Sequence, residues 1–256
     1  MRTATRDNGG AMSPVERREQ VREYVLHRAE ADSRITAAAI VGSLAQGPGD
    51  QWSDLDLTFG VARDASVGDV LADWTRDLVQ VFDATPLLDV VSGDLFYRVF
   101  LLSDWVQVDL SFARESARQT GSAFQPLYGP FRVDVASPPA PDALFRWACL
   151  YARHAHVAIS RGQGWHAEYC IGRVREHALT LACVRRNLPA TYGKGFDRLP
   201  CETRTSAEGA LVGSLEREEL CRVLAVAVAV LLREAVDVDP TLDKVRQQLA
   251  ALVAEA

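Results

Sequence analysis

The chain has 256 residues, of which 48% are hydrophobic and 24% charged, enough apolar material for one large domain or two modest ones. A formal net charge of -6 and a pI of about 5.4 argue against a broad nucleic-acid surface, which needs a basic patch, and are compatible with a cationic small substrate. The five cysteines form an odd set with no CxxC pair, residues 1–12 lack the apolar core of a signal peptide, and the most apolar window, 223–232, is too short to span a bilayer. A cytoplasmic protein with no membrane partner is expected, as a monomer or homodimer.

In chain order, residues 1–12 read as a disordered tail. Ser13 and Pro14, with Val15 and Glu16 behind them, open a helix over 14–31 that keeps Val21, Val25, Leu26 and Ala29 near one face. The apolar run 35–44 reads as a buried strand ending near Val41. Gly42-Ser43 then turns into a short helical piece. Residues 52–59 are expected to form the second strand, with Trp52 packed. A helix is predicted over 66–82, with Val67, Val70, Leu71, Trp74, Leu78 and Val81 at helical spacing, and a strand over 86–91.

Two more strands, 96–102 and 105–111, flank a hairpin turn at Ser103-Asp104. In the second of them Trp105, Gln107, Asp109 and Ser111 share a polar face, while Val106, Val108, Leu110 and Phe112 share an apolar one. Residues 113–129 read as loop, and 131–135 as a short strand. The Pro-rich stretch 137–141 is the best boundary. Helices follow over 142–160, 165–187, 206–235 and 241–254. Of the cysteines, Cys149, Cys170, Cys183 and Cys221 read as small core residues. The fold class is α+β: a catalytic domain over 13–136, with a mixed sheet flanked by helices, and a helical bundle over 141–256.

The chemistry gathers at Asp54-Leu55-Asp56. On a strand, residues two apart point to one face, so these two carboxylates stand side by side while Leu55 and Leu57 face the core. Such a pair is repulsive unless compensated. Mg²⁺ is the natural compensation, because it takes carboxylate and water oxygens and is commonly shared with substrate phosphates. Asp109, mid-strand on a polar face, supplies a third carboxylate.

Gly42-Ser43, a loop, Asp54-Leu55-Asp56 and the later strand residue Asp109 together resemble the DNA polymerase beta-like nucleotidyltransferase superfamily. The helical half is similar to the C-terminal, substrate-binding domains of its small-molecule branch, the aminoglycoside and lincosamide nucleotidyltransferases. The resemblance implies transfer of a nucleoside monophosphate, AMP from ATP, to a hydroxyl of a small polyhydroxylated molecule such as an aminoglycoside-type antibiotic. It implies Asp54, Asp56 and Asp109 as ligands of one or two Mg²⁺ ions, with Asp56 bridging two metals and Asp109 acting as ligand, as base for the acceptor hydroxyl, or as both. Gly42 and Ser43 would meet the phosphates. Lys194, between two glycines, would reach the triphosphate. The nucleotide is expected between the sheet motif and the helical half.

Blander roles fit other residues. Asp50 reads as a loop cap, Arg153, Arg161, Arg173 and Arg175 as surface arginines, and Glu168 and Glu176 as a solvated helix face. His154, His156, His166 and His177 lack zinc spacing. Gly47-Pro48-Gly49 is not a Walker A loop, and no G-x-S-x-G elbow occurs. Two rival functions remain: the same transfer to a protein or RNA acceptor, with RNA disfavoured by the charge, and a non-catalytic nucleotide-binding or toxin–antitoxin-like partner.

Overall fold

The structure, a computed structural model, describes residues 12–92, 95–114, 118–120, 123–134, 137–236, 238 and 240–254. The expected tail therefore lies outside the described residues except for Met12. The chain divides into two compact units, residues 1–136 and 137–256.

The first unit begins with α1 (Pro14–Ala31). Its start is a capping box: Ser13 Oγ accepts from the Glu16 amide while the Glu16 carboxylate accepts from the Ser13 amide, satisfying two orphan donors at once. Then come β1 (Ile35–Val41), a 3-10 turn at Gly42–Ala45 and β2 (Leu55–Val61). They are followed by α2 (Val67–Phe82), β3 (Thr85–Ser92), β4 (Leu95–Leu101) and β5 (Gln107–Arg114), with β6 (Arg118–Thr120), β7 (Phe124–Tyr128) and β8 (Arg132–Asp134) closing the unit. Six strands form one mixed sheet in the order β3-β4-β5-β2-β1-β7, in which β2 and β5 run parallel and the other neighbours antiparallel.

One core unites Val21 and Val25 of α1, Val70, Leu71, Trp74 and Leu78 of α2, and Leu55, Leu57, Phe59, Val108, Leu110 and Phe112 of the sheet. The strand residues in it alternate, as period-2 patterning requires. Trp74 meets Phe59 and Phe112 edge-on at 4.9 and 5.2 Å between ring centres, the favoured geometry for aromatic pairs.

Several sequence expectations shift. The second strand starts at Leu55, so Trp52, Ser53 and Asp54 lie in the turn before it. The turn wins because the Asp50 carboxylate accepts from the Trp52 amide and the Ser53 hydroxyl, an Asx-type closure that competes with strand pairing. Trp105 is not in a strand either: it has φ of 65° in a hairpin loop closed by Leu102 N to Val106 O at 3.0 Å. The loop expected over 113–129 instead carries the end of β5, then β6 and β7. The last of these is an edge strand on β1, the one sheet position where its Pro126 is tolerated. Val81 is exposed and Phe82 buried, the helix ending one residue out of the expected phase.

The Asp32 carboxylate, just past α1, is buried and accepts from the Arg34 guanidinium and the Trp74 indole. The Arg34 contact, outweighing burial, holds this carboxyl well below the usual range. A depressed folded-state pKa contributes stability that is present above the ordinary carboxylate pKa and lost as pH falls through the folded value. The melting-temperature gap between wild type and Asp32→Asn is therefore expected to be full at pH 7 and to narrow progressively below about pH 4. Thermal melts at stepped pH measure it.

The second unit is helical: α3 (Pro141–Ser160), α4 (Gly164–Arg185), α5 (Cys201–Glu208), α6 (Arg217–Glu234) and α7 (Asp243–Ala254). Ala148, Ala152 and Ala155 of α3 are fully buried, in one core with Ile171, Val174 and Leu181 of α4 and Leu220, Leu224 and Leu231 of α6. Small residues on α3 let the helix backbones approach closely. The single helix expected over 206–235 is broken between α5 and α6. The Glu219 side chain accepts from the Gly213 amide and Arg222 donates to the Gly209 carbonyl, closing the intervening loop. Glu234, 2% exposed, receives Arg185, Arg186 and Thr203, so its buried charge is paired as such a charge must be. Cys170 and Cys183 are buried as expected, Cys149 and Cys221 only partly, and Cys201 is exposed.

Candidate active site

Strand direction collects the motif. β1 and β2 are antiparallel with Ile40 opposite Leu57, so the turn leaving β1 at Gly42 arrives where β2 begins. β5 runs parallel to β2 with Asp109 in register with Asp56. Aligned residues of neighbouring strands project to the same face, which puts Asp56 and Asp109 side by side. Asp54 precedes β2 by one residue.

Gly42 is tied directly to Asp56. Its φ is +68°, and a Cβ built there would lie 2.1 Å from Asp56 Oδ2. Only glycine fits both the backbone angle and the space. Ser43 is exposed at the start of the 3-10 turn.

Asp109 is 4% exposed. The expected polar face of β5 is thus buried rather than open. Tyr97 of β4 donates its hydroxyl to Asp109 Oδ2, and the Gln107 amide donates to both carboxylate oxygens at 3.1 and 2.9 Å. Farther along the same face Ser111 Oγ donates to Thr58 Oγ1 at 2.7 Å. The Tyr97 phenol is pushed up, first by burial, next by its bond to Asp109 and that charge, and further by the charges of Asp56 and Asp54. All three carboxylates therefore act electrostatically on one phenol.

The turn carrying Asp54 is anchored from α1. Arg18, 2% exposed, donates to the carbonyls of Asp50 at 2.6 Å, Ser53 at 2.9 Å and Pro48 at 3.4 Å. One guanidinium thus fixes three points of the Gly/Pro-rich loop with charge-assisted bonds. Arg18, Tyr97 and Gln107 escape the sequence reading in different degrees. Gln107 lies two residues before Asp109 on the same strand face, a visible signal. Arg18 and Tyr97 reach their partners only through tertiary packing and leave none.

Lys194 belongs to the second unit, exposed in the loop between α4 and α5. His177 is buried on α4 with Nδ1 2.8 Å from the Arg173 carbonyl, and Glu176 pairs with Arg173. Both are structural contacts.

In donor type, Asp54, Asp56 and Asp109 suit a hard divalent cation. Among the described residues no group of three or more His, Cys, Asp or Glu side chains is gathered so as to hold a metal ion by itself. Asp109 is engaged by Tyr97 and Gln107, and Asp54 stands off the strand. Mg²⁺ needs no all-protein cage, since it keeps waters and shares one or two carboxylates with substrate phosphates. The residues fit such an open site.

No helix among the described residues is long and apolar enough to cross a membrane. No family model matches the chain, and no curated protein matches it. Among solved structures it is similar to the crystal structure of an aminoglycoside 6-adenyltransferase from Bacillus subtilis, at 12% identity, over 94% of this chain and 92% of that one, with a TM-score of 0.37. At that TM-score the likeness carries no weight for the chemistry, which rests on the residues themselves.

Proposed function

We propose that the chain is a metal-dependent nucleotidyltransferase that moves a nucleoside monophosphate, AMP from ATP, onto a hydroxyl of a small polyhydroxylated molecule. The observation that carries this reading is the abutment of Gly42 on Asp56, with Asp109 in register on the parallel neighbour. A phosphate-facing turn and a set of carboxylates then share one strand end.

In this reading Asp54 and Asp56 hold the cation, with Asp109 beside them. When bound, the ion neutralises triphosphate charge and favours ionisation of the acceptor hydroxyl. The bare backbone at Gly42 admits phosphate oxygens, and the exposed Ser43 hydroxyl donates to them. Tyr97 and Gln107 hold the Asp109 carboxylate in place, as the group that accepts the proton of the acceptor hydroxyl. The acceptor oxygen bonds to the α-phosphorus, the α–β bridging bond breaks, and pyrophosphate leaves.

The test is incubation with each nucleoside triphosphate and a panel of aminoglycosides, lincosamides and cell extract, followed by mass spectrometry of the acceptors and assay of released pyrophosphate. A nucleoside monophosphate gained by a small molecule supports the reading. Gain by a protein or an RNA moves the acceptor class, and no gain anywhere with bound nucleotide favours a binding protein.

A further inference from the structure

The sheet of the first unit ends at β3, the outermost strand beside β4. It runs from Thr85 to Ser92, and among the described residues only β4 pairs with it. One side of its backbone therefore presents a row of unpaired N–H and C=O groups, a ready template for a further strand. Its aliphatic side chains are open as well: Leu87, Leu88, Val90 and Val91 are 61%, 54%, 42% and 60% exposed.

Both faces of the strand take part. Pairing with β4 sets Leu88 beside Val99 and Val90 beside Tyr97 on the face that carries Asp109. Asp89 stands beside Arg98, and Val91 beside Phe96, on the other face. That face is the one α2 covers, since Arg98 reaches Thr75 there. Val79, one turn further along α2, is exposed too. A contiguous apolar edge of this kind marks an interaction site on a soluble protein.

Open edges are ordinarily blunted by lysine, by proline, by a bulge or by charge. Here Pro86 and the register shift between Pro86 and Leu88 blunt only the start of the strand. From Leu88 to Ser92 the one charge is Asp89, and the Arg98 guanidinium of the same copy binds both of its carboxylate oxygens. What remains is an apolar strand with its charge already neutralised, which gives a partner recruited by charge nothing to hold.

We propose that β3 is the docking edge for a second copy of this chain, paired antiparallel about a two-fold axis at Val90. Residues opposite one another in such a pair share a face, so the axis must fall on a residue. At Asp89 it would oppose two carboxylates, which is destabilising. At Leu88 it would bring Pro86, which has no N–H, into the ladder. At Val90 it sets Val90 against the partner's Val90, Asp89 against the partner's Val91 and Leu88 against the partner's Ser92. The second copy supplies a matching open, apolar strand by symmetry, and the isologous contact closes on itself as a pair. A short ladder buries less than the ~1,600 Å² of a standard interface, so the dimer dissociates on dilution.

Sedimentation equilibrium of the full chain from about 1 to about 100 μM, the range of weak specific association, is expected to show a mass rising from 28.1 kDa toward twice that value. Val90→Lys places two ammonium groups against each other at the axis and should weaken association on the order of 100-fold, with thermal melting unchanged because Val90 is exposed in the single copy. Val81→Lys, at an exposed position of α2, should leave association intact. Independently, Val90→Cys in a Cys201→Ser background should form a disulfide-linked dimer in air, and Val81→Cys in that background should not. A wild-type chain that stays at 28.1 kDa throughout would overturn the proposal, even if the edge captured an unrelated strand. Undiminished association of a folded Val90→Lys protein, or equal cross-linking of the two cysteine variants, would overturn it as well.

Discussion

Asp56→Asn is expected to lower nucleotidyl transfer on the order of 10³-fold or more while the protein stays folded. The carboxylate stands in register with Asp109 and against Gly42, so it links the turn to the neighbouring strand's acid. Asparagine keeps the shape and removes the charge. A bound divalent cation contributes several kcal/mol of transition-state charge stabilisation, and each 1.36 kcal/mol is a factor of ten in rate. The fold should tolerate the change, since Asp56 lies on the face away from the Leu55, Leu57 and Phe59 core. Turnover measured beside a thermal melt separates the two effects. Wild-type turnover in a folded Asp56→Asn protein would sink the assignment.

Gly42→Ala should lose roughly 100-fold in transfer, in proportion to about 2–3 kcal/mol of misplaced charge stabilisation, for a stability loss of only about 1–2 kcal/mol. The stability term comes from forcing an L-residue to φ of +68°. The activity term comes from the methyl group, which would sit 2.1 Å from Asp56 Oδ2. Asp56 can swing away, so the backbone survives while the carboxylate leaves its place. Urea unfolding and kcat/KM on the same preparation give both numbers. Unchanged kcat/KM would mean that the position of Asp56 does not matter to the reaction.

Much of this site is local and therefore readable from residues alone. Ser13-Pro14 opens a helix because capping and proline geometry act within four residues. The alternation of Leu55, Leu57 and Phe59 marks a half-buried strand because period 2 is a property of one strand. The third acid, Asp109, is visible as a charge among Val108, Leu110 and Phe112. What stayed hidden depends on register and on packing across distance. Nothing in Tyr97 announces that β4 sets its hydroxyl on Asp109. Nothing in Arg18, one of many arginines on an amphipathic helix, announces that it turns inward to hold three loop carbonyls. Phe124–Tyr128 reads as loop because Pro126 and its exposed neighbours carry no alternation, yet an edge position accepts it. Trp52 reads as core because large apolar residues usually are. Its exposure follows from the Asp50 turn, whose closure outweighs strand extension.

Nucleotidyl transfer is tested most directly by the fate of the α-phosphate. Wild-type protein, Mg²⁺, α-labelled ATP and a polyhydroxylated amine are incubated together, and the products are separated and weighed. Label on the acceptor, an acceptor heavier by one adenylate, and pyrophosphate in equal amount are expected. Label that stays on free nucleotide, with the γ-phosphate transferred or released instead, would contradict it.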